Sequence, residues 1–467
     1  MQRHNDRAPF ACRCPHRPLS HRTIAGAAAL LDRRSFLTGV LATASAALLP
    51  RLARASETTP ASVTVLRAAR LFDGTAVRSP GVLVLRGDRI VSMSAGDAGT
   101  GARTLDFGDA TLLPGLIDAH THVAASVVES RYLEALARPD SVADSIAEAT
   151  LFSLKNATAM LANGFTTIRD VGGGAGIDLA MRDAIARGAI VGPRILAAGT
   201  ALSITGGHGD RNDLADFVHL DDDYEPGTAF GPYGFREQVR RHVKRHVDLI
   251  KITATGGVLS YGDTFDVPQL NLDEIQAVVD EATKFGRKVS AHCHGDKGIA
   301  LAVEGGCHSI EHATGVGSKT LANMQQRGTY LVPTIWALDS ILQPGNPNKI
   351  PADSLEKAHQ AAELRNAGMA RALGTGVKIA YGTDAGVFPH AENNRDFALL
   401  KSMGMHPLDL LKSATSVAAE LLGTSDRGRL APGLLADVVA FAGDPSADPA
   451  LLAAAPKLVM LGGKRIA

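Results

Sequence analysis

The chain has 467 residues, 45% of them hydrophobic and 4% aromatic, with 48 basic and 48 acidic side chains. This is ample material for a large core, and one barrel of more than about 250 residues with a small accessory domain fits the length better than three equal domains. The first 55 residues hold nine arginines and two aspartates, which leaves 39 basic against 46 acidic residues from Ser56 onward, a net of −7, and excludes an electrostatic case for nucleic acid or an anionic membrane surface as partner.

In chain order, the first feature is a targeting segment. Arg33-Arg34-Ser35-Phe36-Leu37-Thr38 precedes an apolar run from Gly39 to Leu49, then Pro50 and the small-x-small site Ala53-Arg54-Ala55. A charged region, a short apolar region and a cleavage site read as a signal peptide over residues 1–55. The apolar run is too short for a spanning helix, which needs about 20 residues. The paired arginines resemble a twin-arginine export signal. The expectation is a periplasmic or secreted mature protein beginning near Ser56, free of the membrane once the signal is cleaved. Cys12 and Cys14 fall in the removed segment, and Cys293 and Cys307 read as packed thiols rather than a disulfide framework.

Residues 56–114 show short alternating apolar runs broken by Asp73-Gly74 and Gly87-Asp88, which read as hairpin strands. Similar runs return in residues 426–467, as LADVVAFAGDP and KLVMLGGKRIA. Both ends therefore predict one small β-sandwich. Between them, over residues 115–425, strand-like and helix-like segments alternate: LIDAHTH, FTTIRDVG, RILAAG, DLIKITATGG, KVSAHCHG, SIEHAT, YLVPTIW and KIAYGTDAG. Helical patterns separate most of them, as in NLDEIQAVVDEATKFG with Asn271 placed as a cap. Successive βα units in one run predict a closed (β/α)8 TIM barrel. Asp210–Gly231 and Gln343–Asp353 read as long loops over its mouth.

The residues with metal chemistry fall at the C-terminal ends of these strands. His120 and His122 end the first; a period of two puts both on one face, so both can point inward. Lys251 lies within the fourth, and lysine is almost never buried without a reason. A Schiff-base amine, a carbon dioxide adduct serving as an anionic ligand, or a side chain leaving by the barrel end all remain open there. His292 and His294 end the fifth strand, His312 the sixth and Asp384 the eighth. Imidazole and carboxylate donors suit zinc or a similar first-row cation.

The strings PGLIDAHTH, IKITATGG, AHCHG, SIEHAT and YGTDAG, with the closing RGRLAPGLLADVVAF, resemble the amidohydrolase superfamily from about Val63 to the C-terminus. TTIRDVGG and GPRILAAGTALSITGGHGD resemble its binuclear Xaa-Pro dipeptidases and ochratoxin-hydrolysing members. That resemblance implies two divalent cations, zinc by default with manganese or cobalt as substitutes. His120, His122 and Asp384 would hold one, His292 and His312 the other, and a carbamylated Lys251 would bridge them. His294 then takes a substrate role. His208 is similar to a family residue near the substrate carboxylate, and Tyr261 to one that polarises the scissile carbonyl. The implied reaction is hydrolysis of an amide or peptide bond beside a free carboxylate by a metal-activated hydroxide, with Asp384 as base and then acid. The implied substrate is a dipeptide, an N-acyl amino acid or an ochratoxin-like amide, handled by a homo-oligomer. Two other readings stand beside it. An imidazolonepropionase-type cyclic-amide hydrolase or deaminase usually lacks the bridging lysine. A non-catalytic metal-binding barrel would be expected to have lost ligands.

Overall fold

The computed structural model describes residues 63–124, 142–210, 212, 227–260, 262–344 and 350–467. The chain divides into Met1–Pro60 and Ala61–Ala467, and the fold is that of the second unit. The expected signal segment, most of the Asp210–Gly231 loop and Tyr261 lie outside the described residues.

Alternating strands at both chain ends build two stacked sheets. Val63–Ala68 pairs antiparallel with Gly81–Arg86, in register from Val63 opposite Arg86 to Ala68 opposite Gly81, and parallel with Arg103–Asp106. Arg89–Ser92 completes this four-stranded sheet. In the second sheet Val438–Ala442 runs antiparallel to Ala110–Pro114, so residues more than 300 positions apart share one ladder. Leu66, Leu83 and Leu85 from one sheet meet Leu112, Val438 and Leu458 from the other, all buried. Each such side chain contributes about 1.5–3 kcal/mol relative to exposure. This is the sandwich formed by both chain ends.

Gly115 then turns the chain into the barrel. A Cβ there would stand 2.0 Å from Thr166 Oγ1, so no larger residue fits between the first two barrel strands. Those strands, Leu116–Thr121 and Phe165–Asp170, pair in parallel, and Arg194–Ala197 adds the third. Leu249–Thr253, Lys288–Cys293, Ser309–His312 and Tyr330–Val332 follow as a continuous parallel ladder. The third and fourth strands are joined by the Asp248 N–H donating to Ala197 O at 2.8 Å.

The eighth segment departs from the expected regular strand. It forms no continuous ladder, pairing with its neighbours as isolated bridges, Leu331 with Ile379 and Thr121 with Ala385. Backbone bonds from Ala119 N to Tyr381 O at 2.8 Å and from Ala380 N to Leu331 O at 2.9 Å carry the ring round to the first strand. Asp384, at the end of this run, adopts φ 63°, which ends the extended backbone where its side chain turns inward.

Strand alternation sorts the residues by chemistry. Ile250, Ile252, Val289 and Ala291 face outward into the apolar layer beneath the helices, while Lys251, His292 and His294 line the interior cavity. Leu272–Lys284 buries Ile275, Val278 and Ala282 on the outer wall, at helical spacing. The expected cap holds as a capping box, with Asn271 N donating to Glu274 Oε2 at 2.9 Å. Cys293 and Cys307 are buried free thiols, as expected. The two loops are shorter than their sequence suggests. Gly227–Ala229 forms a short strand within the first, and the helix Ala352–Leu373 begins before the second ends. Among the described residues, no helix is long and apolar enough to cross a membrane.

Candidate active site

The C-terminal ends of the barrel strands surround one cavity of about 230 Å³, into which His120, His122, His208, Lys251, His292, His294, His312 and Asp384 all open. Eight of the nine residues singled out in the sequence therefore converge. Tyr261, the ninth, lies outside the described residues.

Two donor clusters stand within the cavity. In the first, His120, His122 and Asp384 bring their ligand atoms within 4.8 Å of one another. His120 donates Nδ1–H to Glu311 Oε2 at 2.7 Å, and His122 donates Nδ1–H to Gly172 O at 3.0 Å. These bonds fix both tautomers and leave the Nε2 lone pairs facing Asp384 Oδ1, at 3.3 Å and 3.1 Å. Two nitrogen lone pairs and a carboxylate oxygen this close repel one another unless a cation lies among them. The donor set fits a divalent metal ion.

In the second cluster, His292, His294 and His312 converge equally closely. His292 donates Nε2–H to Gly256 O at 3.1 Å, while His294 and His312 use Nδ1 to bond Thr314 Oγ1 at 2.7 Å and Thr334 Oγ1 at 2.6 Å. Burial, and then the neighbouring imidazoles, push His292 and His312 well below the usual histidine range. Burial and His208 push His294 down to about 3. All three are neutral near pH 7, the form that donates a lone pair to a metal. The sequence preferred His292 over His294 as ligand; the fold gathers both into the same cluster.

The backbone is shaped to aim these groups. His312 and Asp384 have φ of 69° and 63°, and Thr334, the partner of His312, has φ of 48°. Non-glycine residues in the left-handed region cost about 1–3 kcal/mol each and persist where the surroundings enforce them. Here they bring side chains from strand ends into the cavity.

Lys251 is 3% exposed and opens into the same cavity as both clusters. Burial pushes its amine down to about 8, against the opposing pull of Glu311 and Asp384. His208 stacks on His292, ring centroids 4.1 Å apart, with its buried Nδ1 lacking a hydrogen-bond partner among the described residues.

Two residues essential to this geometry were not singled out in the sequence. Arg169 Nη2 donates to Glu311 Oε1 at 2.8 Å, and both are buried in the barrel interior under His120. Opposite charges at inward positions of the second and sixth strands, in TTIRDVGG and SIEHAT, were the available signal. The reasoning that flagged Lys251 applies to them equally.

The family model described as the amidohydrolase family matches residues 111–466. The chain belongs to the amidohydrolase family. Within it, this amidohydrolase falls in the ochratoxinase-like branch. It is 30% identical to the ochratoxinase of Aspergillus niger over 416 residues, 84% of each chain. A crystal structure of a Xaa-Pro dipeptidase with methionine in its active site superposes with a TM-score of 0.77 at 33% identity, covering 86% of this chain and 99% of that one. A prolidase complexed with N-methylphosphonate-L-proline gives 0.78 at 31% identity, covering 87% and 99%. This amidohydrolase is a hydrolase acting on C–N bonds, with a (β/α)8 barrel and an accessory β-sandwich.

Proposed function

We propose that this amidohydrolase cleaves an amide or peptide bond next to a free carboxylate, in a dipeptide, an N-acyl amino acid or an ochratoxin-like amide. One observation carries the reading: two donor clusters and Lys251 open into a single cavity. The ochratoxinase, Xaa-Pro dipeptidase and prolidase relatives support it, the dipeptidase holding methionine and the prolidase N-methylphosphonate-L-proline, both of which carry a free carboxylate.

His120, His122 and Asp384 would hold one divalent cation and His292 and His312 the other, zinc being favoured by the imidazole-rich donor set. When bound, such a pair supplies Lewis acidity toward the scissile carbonyl and an acidified water. Lys251, which opens into the same cavity as both clusters, would serve as a carbamate ligand. Its neutral amine, about one tenth of the population at pH 7 for a pKa near 8, attacks the carbon of carbon dioxide; an N–C bond forms as one C=O π pair moves to oxygen, and one proton leaves the nitrogen for solvent. Asp384 takes the proton of the attacking water and returns it to the departing amine nitrogen, base first and acid second. His208, stacked on His292, and His294, within the second cluster, orient the substrate, with Tyr261 assigned to the carbonyl on sequence alone.

Metal-loaded protein incubated with dipeptides and N-acyl amino acids, read by mass spectrometry with Asp384→Asn as control, tests this. Cleavage beside the carboxylate that the variant loses supports the reading. No cleavage by protein shown to carry two metals per chain overturns it and directs attention to cyclic amides. Export of a homo-oligomer by the twin-arginine route belongs to the same proposal. Retention of an Arg33→Lys, Arg34→Lys chain in the cytoplasm would support export by that route, and unchanged export would overturn it.

A further inference from the structure

The loop after the fourth barrel strand, Ala254 to Gln269, does more than connect. Gly256 O accepts from His292 Nε2 at 3.1 Å, and Val258 and Leu259 line the cavity. Gln269 at its end accepts the backbone N–H of His208 through Oε1 at 2.9 Å. A Cβ on Gly257 would lie 2.0 Å from His208 Nδ1, so the loop backbone presses directly on that ring. Any displacement of the loop therefore reaches His292, His208 and the apolar cavity wall together.

Its conformation is knotted by one carboxylate. Asp263 accepts from Gly257 N at 3.1 Å, Ser260 Oγ at 2.7 Å and Gln269 Nε2 at 3.1 Å. The knot is in turn clasped from outside the loop. Lys357, on the helix Ala352–Leu373, sends Nζ to Ser260 O at 2.6 Å, Gly257 O at 3.1 Å and Asp263 Oδ1 at 3.4 Å. The two charged side chains are 13% and 6% exposed. An ammonium so buried satisfies its donors on carbonyls that the loop would otherwise leave to water. Tyr261, nominated by the sequence, follows Ser260 directly in the chain.

The clasping helix is itself seated against the loop. Ala358 and Ala361 pack in one apolar cluster with Val258 and Phe265 from the loop and Leu338 and Ile341 from the helix after the seventh strand. Arg365, two turns beyond Lys357, opens into the cavity.

We propose that Lys357 and Asp263 form a latch that positions this loop, and through it His208, His292 and the Val258–Leu259 wall, making both of them positioning residues that set which substrate the cavity accepts. Neither touches the reacting atoms. The latch acts on substrate fit in the site proposed above and so rests on that reading for its kinetic consequence. Its structural consequence is independent of it.

The test compares metal-loaded wild type with Lys357→Met and Lys357→Arg. Amide hydrogen exchange at Gly256 and Gly257 is expected to accelerate at least tenfold in Lys357→Met, with the wild-type metal content retained. KM is expected to rise at least tenfold, more for an N-benzoyl than for an N-acetyl amino acid, because Val258 and Leu259 supply apolar cavity wall that the loop positions. Lys357→Arg keeps the cation and is expected to recover most of both effects. Unchanged exchange in Lys357→Met overturns the latch, as does faster exchange with kcat and KM within twofold of wild type. If Lys357→Met does not fold, Asp263→Asn serves under the same criteria. Should wild type cleave no amide at all, the amidase reading fails while the exchange measurement still decides the latch.

Discussion

His120 donates to Glu311 Oε2 across 2.7 Å although 191 residues separate them, and Arg169 holds the other oxygen of the same carboxylate at 2.8 Å. Burial opposes ionisation of Glu311, but Arg169 and His120 hold it far below the usual carboxylate range. The carboxylate thus fixes the imidazole that faces Asp384. Glu311→Gln is expected to weaken metal binding 10–100-fold, the usual effect of losing such a supporting partner. It also leaves the buried Arg169 without its counter-charge, at a cost of about 3–5 kcal/mol. Metal titration and urea unfolding read the two effects separately. A variant with wild-type metal affinity would show that His120 needs no such support.

His292 and His294 point into the same cluster but are tied differently, His292 through Nε2 to Gly256 O and His294 through Nδ1 to Thr314. If His292 is the ligand, His292→Ala retains one metal per chain and loses most activity. His294→Ala then retains two and shows its defect in KM. Metal analysis of the two purified variants decides the assignment, and the reverse pattern would exchange their roles.

Much of this site was legible because period-two alternation in a barrel strand fixes which residues face inward. His120 with His122, and His292 with His294, could be placed on one face before any fold was known. Asp384 and His312 were legible as residue types, but their left-handed backbones, at φ 63° and 69°, were not, since Asp and His enter that region only occasionally and residue type alone does not announce the turn. Arg169 and Glu311 were hidden for a different reason. Each is a charge on a separate strand, and only barrel closure shows that they neutralise each other. Lys357 was beyond reach, because a lysine on an amphipathic helix reads as solvated until the loop it clasps is in place.

Lys251 gives a pH signature with a definite sign. Its folded amine, at about 8, lies below the unfolded value of 10.5, so between them the unfolded chain binds more protons. Stability of the metal-free protein, with carbon dioxide excluded, therefore carries a penalty below pH 8 that lifts as pH rises toward 10.5. Against Lys251→Met, wild type is expected to gain up to about 1.4 kcal/mol per pH unit across that window. Urea unfolding at three pH values measures the difference. Parallel curves for the two proteins would mean that Lys251 is not titrating in a buried site.

Asp384→Asn separates chemistry from architecture. Asparagine tolerates the left-handed backbone that Asp384 adopts, so the strand end can keep its shape. The amide cannot accept the proton of an attacking water or return it to the amine, and loss of a positioned acid–base group costs about 10²–10⁴ in rate. The variant also trades a charged ligand for a neutral one beside His120 and His122, so some loss of metal affinity accompanies the change. At saturating metal, kcat is expected to fall by at least 10²-fold while the thermal midpoint stays within a few degrees of wild type. Near-wild-type kcat at full metal occupancy would remove Asp384 from the proton path and leave it as a ligand alone.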